Sequence, residues 1–108
     1  MITGQLHRYA DNTLLGHIAS LTFDVDVMLT ENPHKSHDKH PDYVITAKSP
    51  RDRSIRIGSA WEQTSRAGNK YLSIALAVNG QTIRANALRR EEQSTDDETI
   101  FEIVAWAD

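Results

Sequence analysis

The sequence predicts an all-β fold, a small antiparallel barrel or sandwich of about seven strands. Three observations predict it. Apolar residues recur with period two along nearly all of the 108-residue chain, which is the strand signature. Clusters of Asp, Asn, Ser, Pro and Gly punctuate the alternating segments at short intervals. One pair of segments is joined by Asn79-Gly80, the strongest short-range hairpin signal. The length allows one domain, residues 1–108, with one modest core.

The first two strands are expected over residues 2–9 and 14–19, joined by the turn-like Ala10-Asp11-Asn12-Thr13. Gly4 and Gly16 interrupt them, as at bulges or close backbone contacts. Residues 21–29 alternate cleanly. Leu21, Phe23, Val25, Val27 and Leu29 point one way, and Thr22, Asp24, Asp26 and Met28 the other. Residues 31–42 form a polar loop closed by Pro33 and Pro41. A short strand over 43–48 ends at the turn Ser49-Pro50-Arg51-Asp52.

In the next strand, 55–62, simple alternation puts Ile55, Ile57, Ser59 and Trp61 on one face. A connection containing Gly68 leads to the hairpin 71–78 and 81–88. A two-residue loop fixes its register, with Val78 opposite Gln81, Leu76 opposite Ile83, Ile74 opposite Ala85 and Leu72 opposite Ala87. The reverse face then pairs Ala77 with Thr82, Ala75 with Arg84, Ser73 with Asn86 and Tyr71 with Leu88. Residues 89–98 read as a long polar loop, and 100–106 as a last strand apolar on both faces.

Charge is distributed unevenly. Residues 1–50 hold four bases against six acids, and residues 51–90 hold eight bases against two acids. Residues 91–108 hold seven acids and no base. A basic middle attracts phosphates, and an acidic end masks it or repels them. There is no cysteine, so a disulfide framework, a thiol nucleophile and a cysteine-ligated zinc are excluded. No apolar run approaches the roughly 20 residues needed to cross a bilayer, and the N-terminus lacks the pattern of a secretion signal. A cytoplasmic protein is expected.

The run Gly58, Ala60, Trp61, Thr64, Ser65, Gly68, Tyr71, Leu72, Ser73 resembles the signature G-x-A-W-x-x-T-S-x-x-G-x-x-Y-L-S of the bacterial domain-of-unknown-function 736 family (DUF736). Pro41-Asp42-Tyr43, Ala85-Asn86 and a tryptophan near the C-terminus extend the likeness over nearly the whole chain. The histidine-rich loop and the long acidic stretch before the last strand depart from the pattern. The resemblance implies a small accessory protein of plasmids and other mobile elements, and brings no activity, cofactor or catalytic residue with it.

Each candidate chemistry has a structural counter-reading. His34, His37 and His40 recur at intervals of three and could ligate zinc, nickel or copper. Lys35 and Lys39 stand among them, however, and solvated loop histidines are the expected reading. Asp24 and Asp26 lie about 7 Å apart on one strand face and are read as its wet side. Thr64, Ser65 and Ser73 lack an activating base, and Thr64-Ser65 before Gly68 reads as turn chemistry. No glycine loop cradles a phosphate. A non-enzymatic protein without cofactor is expected.

The reverse face of the hairpin is the most suggestive surface. Tyr71, Arg84 and Asn86 project together, with Arg66 and Lys70 on the adjoining loop and Arg56 on the preceding strand. An aromatic ring amid cations and an amide suits single-stranded nucleic acid, whose bases stack while its backbone follows the charges. The expected function is thus a binding module of a mobile element acting on single strands. The alternative is a protein inhibitor or adaptor acting against a host defence complex. In that role Glu91, Glu92, Asp96, Asp97 and Glu98 imitate nucleic-acid charge.

Overall fold

In the computed structural model, which describes residues 2–33, 36, 39–78, 80–89 and 100–105, the chain is a closed antiparallel barrel. Among the described residues it has eight strands, β1 (Thr3–Ala10), β2 (Thr13–Ala19), β3 (Asp24–Glu31), β4 (Tyr43–Lys48), β5 (Ser54–Thr64), β6 (Lys70–Val78), β7 (Gln81–Arg89) and β8 (Ile100–Ala105). Each strand pairs with its neighbours in sequence, and β8 closes the ring on β1. No helix among the described residues is long and apolar enough to cross a membrane.

Alternation sorts side chains between the inside and the outside of the wall. Leu6, Ile18, Leu29, Ile45, Ile74, Leu76 and Ile103 point inward and are fully buried, so the lumen is a packed core. Burying each contributes about 2 kcal/mol. At one end of the barrel Ile2, Phe23, Val25, Ile57, Val78 and Ile83 pack against this core. The other end is polar and gathers Arg8, Glu31, Asp42, Tyr43 and Glu62. There Arg8 Nη1 donates to the Asp11 carbonyl at 2.9 Å, while its Nε is buried without a partner.

Neighbouring backbones approach very closely at glycines in the barrel wall. A Cβ on Gly16 would collide with the Gln5 carbonyl, and one on Gly58 with the Ala75 carbonyl. The approach anticipated at Gly16 is therefore real. Two hairpins turn by the same device. In residues 49–53 and in residues 65–69 the first-position serine accepts, through Oγ, from the backbone N–H of the fifth residue at 3.1 Å. The fourth residue has positive φ, 62° at Asp52 and 87° at Gly68. Ser65 thus does turn work, as its sequence context indicates.

Two expectations need correction. Leu21 belongs to no strand. Ser20 N–H donates to the Phe23 carbonyl at 2.8 Å, this turn precedes Asp24, and Leu21 is 98% exposed. On β5 the single-face assignment fails because the strand carries a bulge. Ile45 pairs with Gly58 but Thr46 with Arg56, so Ile57 is an extra residue and the faces switch there. Ile55 and Ile57 lie on the core side, whereas Ser59 and Trp61 lie outside.

Candidate nucleic-acid interface

The outer surface of β5, β6 and β7 is built from the register of two ladders. One row across it reads Trp61, Ser73, Asn86, and continues to Val104 on β8. The row toward the polar end reads Gln63, Tyr71, Leu88. The row on the other side reads Ser59, Ala75, Arg84. Successive rows lie about 7 Å apart and neighbouring strands about 4.8 Å apart. Large side chains therefore stand around a floor of serine and alanine.

Every candidate position on this surface can now be placed. Arg84 is exposed, and Tyr71 and Asn86 are half-buried, all on the outer wall. Arg56 is exposed and also outside, and its Nη2 donates to Ser59 Oγ at 3.0 Å, leaning the guanidinium toward the row that holds Arg84. Arg66 is exposed in the turn 65–69. Lys70 is exposed but belongs to β6, opposite Thr64, and alternation puts it on the side of Leu72, not of Tyr71. It still stands at the rim, beside Arg66. Four cations thus bracket the aromatic rows, two at each end.

Trp61 is the residue that alternation alone misses. The bulge at Ile57 brings it onto the same wall as Arg56, five residues earlier. Its indole N–H donates to the Lys39 carbonyl at 3.1 Å, which fixes the ring at the edge of the platform while leaving it half-exposed. At the centre, Asn86 Oδ1 is buried and has no hydrogen-bond partner.

Residues 2–102 match the model of a family described as protein of unknown function, DUF736. The chain belongs to this family. No curated protein and no solved structure matches it.

The remaining candidates of this DUF736 chain divide between the described and the undescribed residues. His40 Nδ1 accepts from the Ser36 N–H and is hydrogen-bonded to Ser36 Oγ, both at 3.2 Å. His34 and His37 lie outside the described residues, among which no cluster of three ligating side chains is able to hold a metal. Glu91, Glu92, Asp96, Asp97 and Glu98 also lie outside them. Asp24 and Asp26 face solvent on the opposite side of the DUF736 barrel.

Two further features are invisible to strand alternation. A shallow polar depression of about 190 Å³ lies outside β1, β2 and β8, lined by Thr3, Gly4, Gln5, His17 and Glu102. At the polar end, burial pushes the Tyr43 hydroxyl above its usual pKa. The charge of Glu62 adds to this, as do Glu31 and Asp42, while Arg8 opposes it. Neither feature could be found without the ring closure or the register that assembles it.

Proposed function

We propose that this chain is a non-enzymatic binding module that holds single-stranded nucleic acid on the outer wall of β5–β7. The observation that carries the reading is the arrangement of Trp61 and Tyr71 over a small-residue floor, with Arg56 and Arg84 beyond one end and Arg66 and Lys70 beyond the other. Exposed aromatic faces take bases of any sequence, and flanking cations follow the phosphates. The outer positions of β6 and β7 carry no carboxylate to repel them. A protein of mobile elements, the setting the family resemblance implies, meets single strands whenever such an element is copied or transferred.

Fluorescence anisotropy of a labelled oligothymidylate, titrated at several salt concentrations, tests the reading. Four phosphate contacts give a slope of log affinity against log salt of about −2.8, a loss of roughly fiftyfold between about 50 and 200 mM. Tyr71→Ala lowers affinity by about 1–3 kcal/mol through the lost base stack. Absence of binding at low salt, or binding indifferent to salt, refutes the proposal.

A further inference from the structure

We infer that Asn86 reads the Watson–Crick edge of a base stacked on this platform, so that the protein demands an unpaired base in a single strand; the inference rests on the proposed function. Asparagine is depleted in strands, yet Asn86 occupies the middle of the outer wall of β7. A structural asparagine shows its purpose as a hydrogen bond, because buried acceptors are almost always paired. Here the nearest cross-strand hydroxyl, that of Ser73, sits directly opposite and leaves Oδ1 without a partner. The amide therefore does nothing for the barrel that an apolar side chain would not do as well.

Its surroundings suit a nucleobase. Register places Tyr71, Leu88 and Val104 in adjacent positions, and Trp61 lies two strands away in the same row. Leu88 is 44% exposed. A base lying on this apolar frame meets one amide at its edge. Every base carries an N–H or amino donor beside an acceptor on its Watson–Crick edge, and a carboxamide is the complement of that pair. The residue is half-exposed, and rotation about χ2, a broad two-fold torsion, brings the buried oxygen to the surface. Rotation also reverses the order of donor and acceptor, so all four bases fit. Requirement for a free edge then selects single strands without selecting a sequence.

The test compares oligothymidylate with the same strand built from N3-methylthymidine, in which a methyl replaces the edge N–H and leaves stacking and backbone charge alone. The wild-type protein is expected to bind the methylated strand about tenfold more weakly. Asn86→Leu is expected to bind both strands equally and to melt no lower than the wild type, since it removes an unpaired buried acceptor. Equal binding of both strands by the wild type overturns the edge reading while leaving salt-dependent binding, and the proposed function, intact. No binding of either strand overturns both.

Discussion

The two walls of this barrel share one core and differ outside. On β1, β2 and β3 the outer positions hold Gln5, His7, His17, Asp24, Asp26 and Met28, with no lysine or arginine among them. On β5, β6 and β7 they hold Arg56, Trp61, Tyr71, Ser73, Arg84 and Asn86, with no acid. Inside, both walls present Leu, Ile and Val to the same centre. The interior therefore explains why the chain folds, and the contrast between the walls has no counterpart there. Among these outer positions tryptophan and arginine occur on one wall only, a difference for a ligand to use, whereas tyrosine occurs on both, Tyr9 of β1 being 69% exposed.

The largest break of this comparison removes both walls together. Gly16→Val drives a branched side chain into the Gln5 carbonyl, and no flexible neighbour can give way. A loss of about 3 kcal/mol or more is expected in urea unfolding.

Charge reversal separates the walls. Arg56→Glu with Arg84→Glu should weaken oligothymidylate binding roughly a hundredfold at low salt. Asp24→Asn with Asp26→Asn, on the far wall and beyond a Debye length, should change it by about twofold or less. Equal effects from the two pairs would erase the distinction between the walls.

A smaller effect comes from the turn into the basic wall. Asp52 holds the positive-φ position that glycine holds in the sister turn. Asp52→Gly should stabilise the barrel by about 0.5–1 kcal/mol, measured by thermal melting. The smallest effect lies in β4, the seam between the walls, where Tyr43 has its raised pKa. Its neutral form is favoured in the folded state, so its contribution is fully present below pH 10, the ordinary tyrosine value, and is lost as pH rises through the folded-state pKa. The melting temperature of the wild type should fall over that range, and that of Tyr43→Phe should fall less.

Local geometry was legible and long-range geometry was not. All eight pairs of the β6–β7 hairpin, from Tyr71 with Leu88 to Val78 with Gln81, follow from a two-residue loop and period-two alternation. Gly80 has the positive φ of 77° that its turn requires. The partnership of Arg56 with Trp61 was hidden, because one extra residue at Ile57 reverses every later parity, and the neighbouring Gly58, the one local sign, fits a close backbone contact as well as a bulge. Leu21 misled because alternation runs on through a turn held by backbone hydrogen bonds, to which apolar pattern is blind. Closure into a ring depends on β1 meeting β8, a pairing between residues 4–7 and 100–103 that no short window contains.

That last ladder sets the order of assembly. Each of the other seven joins strands adjacent in sequence and can form from nearby residues, whereas this one waits for the whole chain. Until it forms, the intermediate is a curled sheet with two raw edges, each able to recruit a strand from another molecule. A variant that loosens Gly4–Ile103 or Leu6–Phe101 should therefore reveal itself first as aggregation during refolding, before any loss is seen in the finished protein.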